Sequence, residues 1–148
     1  MGPSVRPAPV VSRTVDRHRL PAVAVGAVVG AAVRWAARAV AGPGGAAAAL
    51  LAVNVIGSAV AGAVLAGPAI GRLTPGRARD VLVAGFCGAL TSWSSLAVQL
   101  AGDTSAGHWG TAAAWLGAHL VLGIGAAVVA FRVTASTAPT GRARGATP

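Results

Sequence analysis

Three long stretches without a charged residue, 39–71, 81–102 and 104–131, dominate this chain of 148 residues. A helix needs about 20 mostly apolar residues to cross the hydrocarbon core of a bilayer, and each stretch is long enough. Proline and glycine delimit residues 46–66 within the first stretch. Only 10% of the residues are charged, against roughly 25% in a soluble domain. This excludes a disordered chain and disfavours a soluble globule.

A fourth apolar segment, residues 20–33, is marginal because it is shorter than a bilayer crossing. It becomes a span only if Arg34 lies within the membrane and Arg38 extends toward the interface. A cleaved signal peptide is the alternative, but no polar mature domain follows it. We therefore predict an all-α membrane protein with four transmembrane helices, near residues 20–41, 46–67, 81–101 and 109–131.

Ten of the 12 arginines lie in the two tails, 1–19 and 132–148, or in the loop between the second and third predicted helices. The tails are also rich in Pro, Ser and Thr, so we expect them to be disordered around one membrane domain at 20–131. With four spans all ten arginines fall on one side of the membrane, which the positive-inside rule assigns to the cytoplasm. A pI near 12.0 would otherwise suggest nucleic acid. This distribution instead predicts a lipid bilayer as partner and no nucleic acid.

The first two predicted helices carry small or polar residues at every fourth position, which places them on one helical face. In the first helix these residues are Gly26, Gly30, Arg34 and Arg38. Small residues at this spacing let another helix approach closely, and a charge at membrane depth usually faces protein or water. The alternative for Arg34 is an ordinary interfacial arginine.

In the second helix the same spacing joins Asn54, Ser58 and Gly62. Asn54 is the only amide of this span, and burying it without a partner would cost roughly 2–7 kcal/mol. It is therefore expected to face water or a partner. The alternative is a hydrogen bond between helices with no role in transport.

The third predicted helix contains two glycines followed by a run of hydroxyl residues, between Gly85 and Ser95. Glycine weakens helix interiors, and Ser and Thr compete for backbone groups, so we expect a break near 88–92. Such a break must be buried in protein or line a cavity, where its carbonyls can hold a cation and its hydroxyls an anion. The alternative is a kinked but inert helix. Cys87 is expected to be a small buried residue.

The fourth predicted helix places Trp115, His119 and Gly123 four residues apart. A lone histidine among apolar residues is more often packed and hydrogen-bonded than a ligand. A position lining a pore is the second possibility for His119.

Three segments resemble, in order, motifs of the Fluc (CrcB-type) fluoride channels. Residues 26–35 (GAVVGAAVRW) resemble the glycine-rich opening, which ends in arginine and an aromatic residue. Residues 53–62 (VNVIGSAVAG) resemble the second-helix motif VNxxGSxxxG. Residues 85–96 (GFCGALTSWSSL) resemble the third-helix signature GFxGGxTTFSTF. The resemblance covers about residues 20–131.

This resemblance implies an antiparallel dimer of four-helix subunits, with two narrow fluoride pores and a structural sodium ion at the dimer centre. The backbone carbonyls of Gly88 and Thr91 would hold the sodium. Arg34 matches the family's helix-one arginine, which recruits anions or has a structural role. The implied fluoride pathway consists of Asn54, Ser92, Trp93, Ser94, Ser95, Leu96 and, by a looser match, His119. The residues expected to let helices pack closely are Gly26, Gly30, Gly57, Ser58 and Gly62.

Two features depart from the family pattern. Trp93 and Leu96 replace two phenylalanines that flank the fluoride path; tryptophan keeps a positive ring edge, whereas leucine has none. The arginine asymmetry favours a single orientation, whereas members of the family often insert in both. We therefore expect a heterodimer with a related chain of opposite orientation that supplies intact phenylalanines. A second copy of this chain is the alternative partner.

The sequence thus predicts a passive subunit in the cell membrane that exports fluoride and lowers its cytoplasmic concentration. A subunit that is structural and does not conduct is the main alternative. A small multidrug transporter needs a carboxylate inside the membrane. The chain has no Glu, however, and Asp16, Asp80 and Asp103 lie outside the predicted spans. An enzyme is disfavoured because a pairing of Ser94 with His119 lacks a third group, so no catalytic residue is predicted.

Overall fold

The computed structural model describes residues 17–69 and 77–137, and every regular element in these ranges is helical. Three helical stretches are long and apolar enough to cross a membrane: Arg17–Gly67, Asp80–Ser105 and Trp109–Ser136. Over these ranges the protein is therefore all-α, with helices suited to a membrane, as predicted. The elements are a 3-10 turn (Arg17–Arg19), α1 (Leu20–Ala69), α2 (Arg77–Arg79), a π-helix (Asp80–Cys87), α3 (Gly88–Leu90), α4 (Trp93–Ser105) and α5 (Trp109–Ser136).

Helix α1 has 50 residues, but its backbone leaves the helical conformation at Gly42 (φ 64°, ψ −177°). Glycine reaches a positive φ easily because it has no Cβ. Pro43 follows, and proline favours the first turn of a helix, where its missing N–H is not needed. The helix therefore resumes at Pro43 rather than at the predicted residue 46, whereas the part before the kink ends near the predicted residue 41.

Helices α4 and α5 both extend beyond their predicted ends. A helix commonly ends at a glycine in the left-handed conformation. For α4 this residue is Gly107 (φ 79°), so the helix continues to Ser105 instead of 101. Helix α5 continues to Ser136 instead of 131, and the Ser136 hydroxyl donates to the carbonyl of Val133 at 2.9 Å. Residues 132–136 are therefore helical and do not belong to a disordered tail. The predicted tail residues 1–16 and 138–148 lie outside the described residues.

Glycines of α1 mark the places where other helices approach most closely. A methyl group on Gly30 would collide with the backbone carbonyl of Phe86, and Gly26 lies against the same π-helix. Farther along α1, a methyl group on Gly62 would collide with the backbone carbonyl of Ala127 in α5. Small residues permit this contact between backbones, as they do between membrane helices. Helix α1 thus packs first on the π-helix and then on α5.

The buried apolar core is small and joins α1, α3 and α4 through Leu50, Val53, Leu90 and Leu96. Many large apolar side chains are instead exposed, among them Val40, which is 90% exposed. So extensive an apolar surface is rare on a soluble monomer but is expected of helices that face lipid or a second subunit. The exposure therefore supports a location in the membrane.

Candidate functional site

The third predicted helix is interrupted at Thr91 and Ser92, which separate α3 from α4. Both residues are extended, with ψ 150° at Thr91 and ψ 102° at Ser92. Ser92 caps α4, because its Oγ accepts the backbone N–H of Ser95 at 3.1 Å. Serine is among the residues that favour this position. The interruption lies within the range 88–92 predicted from the sequence.

Asn54 of α1 forms a hydrogen bond with the backbone at the interruption. The backbone N–H of Ser92 donates to Oδ1 of Asn54 at 2.9 Å. In a continuous helix that N–H would donate to the carbonyl of Gly88, four residues earlier. An N–H can bond only to the oxygen of an amide, so this contact also fixes the orientation of Asn54. The NH₂ group of Asn54 is the end that remains for another partner.

The break also diverts N–H groups away from two backbone carbonyls. The N–H of Ser92 no longer reaches Gly88, and the N–H of Ser95 donates to a side chain instead of to the carbonyl of Thr91. The Thr91 carbonyl accepts a long bond, 3.4 Å, from Nη1 of Arg34. In the described part of the chain, no three His, Cys, Asp or Glu side chains cluster so that they could hold a metal. Main-chain oxygens are therefore among the ligands that this region offers to a cation.

We expect Ser92→Ala to destabilise the protein by about 1 kcal/mol, because it removes the cap of α4. Ser94→Ala is the matched control, since Oγ of Ser94 lies 3.3 Å from Oγ of Ser92 and has no bond to the described backbone. Thermal unfolding in detergent measures both variants. An equal loss in the two variants would contradict the capping role.

A cavity of about 230 Å³, called the chamber below, adjoins the break. A single water needs about 10–15 Å³ of such volume, so the chamber has room for a small ion and water. Its polarity comes from amide, hydroxyl and imidazole groups, because neither an acidic residue nor an arginine lines it. The lining residues are Asn54, Ser58, Thr91, Ser92, Trp93, Leu96, His119 and Leu120.

Two of the hydroxyl groups around the chamber already donate hydrogen bonds within the protein. The Thr91 hydroxyl donates to a backbone carbonyl of the preceding turn at 2.9 Å, and the Ser92 hydroxyl donates to Oγ of Ser95 at 2.8 Å. On the α1 side, the NH₂ group of Asn54 and the hydroxyl of Ser58 remain as hydrogen-bond donors for a ligand. The chamber can therefore bind an acceptor, such as a small anion, from that side.

His119 lines the chamber from α5 and is only 8% exposed. Its Nδ1 lies 2.8 Å from the backbone carbonyl of Trp115. Its Nε2 is buried and has no hydrogen-bond partner among the described residues. His119 is thus packed and hydrogen-bonded, the first possibility left by the sequence, and it also lines a cavity; a position lining a pore stays a prediction.

Two larger cavities, of about 540 and 450 Å³, both include Arg38 and Ser95 in their linings and are called the outer cavities. The smaller one also contains Arg34. No acidic side chain lines either cavity, so the arginines give both a positive potential that attracts anions. The hydroxyls of Ser95 and Ser92 lie 2.8 Å apart. This pair of serines therefore joins the linings of the outer cavities and the chamber.

The predicted pathway residues thus fall into two groups. Asn54, Ser92, Trp93, Leu96 and His119 line the chamber. Ser95 lines both outer cavities, and Ser94 lines the larger one. Within the chamber lining, Leu96 is 1% exposed and packs in the core, whereas Trp93 is 65% exposed. Gly57, predicted for packing, lies beside the break, where a methyl group would collide with the methyl of Thr91.

Sequence reasoning did not assign several of the cavity residues to the pathway, among them Ser58, Arg38 and Gln99. Ser58 was predicted only for helix packing, and Arg38 and Gln99 were not predicted as site residues. Ser58 lines the chamber, and the other two line the largest outer cavity. A signal for Gln99 was present, because it follows Ser95 by four residues and so shares its helical face.

The sequence matches the family model described as CrcB-like protein, Camphor Resistance (CrcB), over residues 21–131. A protein of Parasynechococcus marenigrum (strain WH8102), named fluoride-specific ion channel FluC 2, is 40% identical over 110 residues, which are 74% of this chain and 75% of that protein. A protein of the same name from Prochlorococcus marinus (strain MIT 9313) is 37% identical over 122 residues, 82% and 86% of the two chains. The matched range includes every residue that lines the chamber.

Proposed function

The chain belongs to the CrcB-like family, and from this premise we propose that it is one subunit of a passive, fluoride-selective channel. Its relatives are named fluoride-specific ion channels, and such a channel is not an enzyme. The observation that carries the proposal is the broken helix at Ser92, where the oxygen of Asn54 is bonded, while its NH₂ group stays unbonded within the described part of the chain and belongs to a residue that lines the chamber.

Fluoride is small and strongly hydrated, so a pore must offer hydrogen-bond donors in place of water. Asn54 and Ser58 provide such donors in the chamber, and Ser94 and Ser95 provide hydroxyls in the outer cavities. The ring of Trp93 adds a positive edge that can face an anion. Fluoride would collect near the arginines of the outer cavities, pass the serine pair and enter the chamber.

The proposed chain has four transmembrane helices, because the kinked helix α1 would cross the bilayer twice. A straight helix of 50 residues would measure about 75 Å, more than twice the thickness of the hydrocarbon core. The non-helical backbone at Gly42 supports a turn between two crossings. Helix α5 and the broken helix from Asp80 to Ser105 supply the other two crossings.

The proposed orientation places both termini in the cytoplasm of a cell whose plasma membrane holds the channel. The arginine distribution supports this orientation through the positive-inside rule. Arg19 and Asp80 form an ion pair at 3.4 Å, so the start of α1 lies beside the start of the π-helix. This contact supports two crossings of α1 between them, because an even number of crossings returns the chain to the same side of the membrane. Weak acid carries fluoride into a cell as neutral HF, so a selective leak assisted by the membrane potential would export the ion.

A structural sodium ion at the centre of a dimer is the second part of the proposal. The carbonyls of Gly88 and Thr91 fit this role because the break takes away the N–H groups that a continuous helix would give them. Carbonyl oxygens on such non-helical segments can replace the water around a cation. The sodium would stabilise the junction of the two breaks.

The proposed partner is a related chain inserted in the opposite orientation. The exposed ring of Trp93 supports a second subunit, since an apolar surface left open on one chain suits an interface. Leu96 supports the alternative of a subunit that does not conduct, because it packs in the core and offers no ring edge to an anion. Whether or not this chain conducts, the partner would supply the two phenylalanines that Trp93 and Leu96 replace here.

We expect vesicles that contain this chain alone to release fluoride no faster than vesicles without protein. Vesicles with the chain and an oppositely oriented paralogue should release it rapidly, as measured with a fluoride electrode after the membrane is made permeable to potassium. Rapid release by the chain alone would overturn the heterodimer. The absence of release from the joint preparation would overturn the channel itself.

A further inference from the structure

His119 lines the chamber and has one ring nitrogen without a hydrogen-bond partner among the described residues. A backbone carbonyl has no hydrogen to donate, so the 2.8 Å contact with Trp115 places the ring hydrogen of His119 on Nδ1. In the neutral ring with this tautomer the second nitrogen, Nε2, is an acceptor, and it is buried without a partner among the described residues. A buried polar atom normally has a partner, so Nε2 indicates a ligand or water in the chamber.

A bare anion cannot bind beside Nε2, because the anion and the lone pair of this nitrogen repel each other. Asn54 and Ser58 offer donors from α1, while His119 offers an acceptor from α5. The chamber therefore suits a ligand that accepts hydrogen bonds on one side and donates one on the other. A fluoride ion that keeps one water molecule meets both requirements. The ion accepts from Asn54, and its water donates one hydrogen to the ion and the other to Nε2.

We propose that the chamber binds fluoride together with one water molecule, and that His119 is the specificity-determining residue that positions this water. The inference rests on the proposed function and deepens it. Fluoride holds its water more strongly than larger halides do, so a site for the ion and its water favours fluoride. The volume of about 230 Å³ accommodates both.

The principal test compares His119→Phe with His119→Gln in the assembled complex. Phenylalanine keeps a ring but removes the acceptor, so we expect it to lower fluoride flux about tenfold, the scale of one lost hydrogen bond in a buried site. Glutamine has an amide oxygen that can hold the water, so it should retain clearly more flux than phenylalanine. His108→Phe, at the exposed start of α5, is the control and should leave the flux unchanged. Equal flux in the wild type and His119→Phe would overturn the proposal.

A second readout does not require conduction. In protein labelled with ¹⁵N at histidine, NMR should find the hydrogen of His119 on Nδ1, and sodium fluoride should shift the Nε2 resonance while sodium chloride should not. If this shift occurs in a preparation without flux, the channel function fails and the binding site stands. An Nε2 resonance that does not respond to fluoride would overturn the inference. So would a flux that rises at low pH in the wild type but not in His119→Gln, because that result assigns a proton to Nε2.

Discussion

Replacing Asn54 with aspartate will nearly abolish fluoride flux through the assembled channel. The carboxylate keeps an oxygen that accepts the N–H of Ser92, so the break should persist. The substitution nevertheless removes the NH₂ donor and places a negative charge beside the chamber. Two like charges about 4 Å apart repel by about 4 kcal/mol at an effective dielectric constant near 20, which corresponds to about a thousandfold loss of fluoride binding. Efflux from vesicles measures the loss.

Asn54→Leu separates the two functions of this side chain. Leucine removes the oxygen as well as the NH₂ group, so the N–H of Ser92 loses its partner at a cost of about 1–3 kcal/mol. Asn54→Asp should therefore unfold at nearly the wild-type temperature, whereas Asn54→Leu should unfold at a lower temperature. Wild-type flux in a folded Asn54→Asp complex would place Asn54 outside the pathway and favour a subunit that does not conduct.

The sequence predicted the break because its causes are local. Ser92 can cap a helix by itself, and Gly88 and Thr91 weaken the turn before it. The face of Asn54 could be predicted from the four-residue spacing alone. The family assignment from three short motifs is confirmed by the match over residues 21–131.

Features that depend on distances between helices could not be predicted in this way. The chamber exists because α1 and α5 approach at Gly62, which brings Ser58 opposite Gly123. The free acceptor on His119 depends on which backbone carbonyl its ring meets, and a sequence does not specify that. The match of Leu96 to a pathway phenylalanine likewise gave no indication that this side chain lies in the apolar core.

Gly30→Val will prevent the chain from forming a stable complex. A methyl group at this position already collides with the backbone carbonyl of Phe86, and backbone cannot move aside as a flexible side chain can. Excess volume in a packed core typically costs about 1–3 kcal/mol. Here it would also separate α1 from the π-helix and withdraw Arg34 from the Thr91 carbonyl.

Gly125→Val in α5 is the matched control for Gly30→Val, because a Cβ at Gly125 meets no atom within 4 Å. Size-exclusion chromatography in detergent should show a loss of the monodisperse peak for Gly30→Val and little change for Gly125→Val. Equal yields would mean that α1 and the π-helix are not in backbone contact. Other contacts would then have to hold Asn54 beside Ser92, since the bond between these two residues depends on the position of α1.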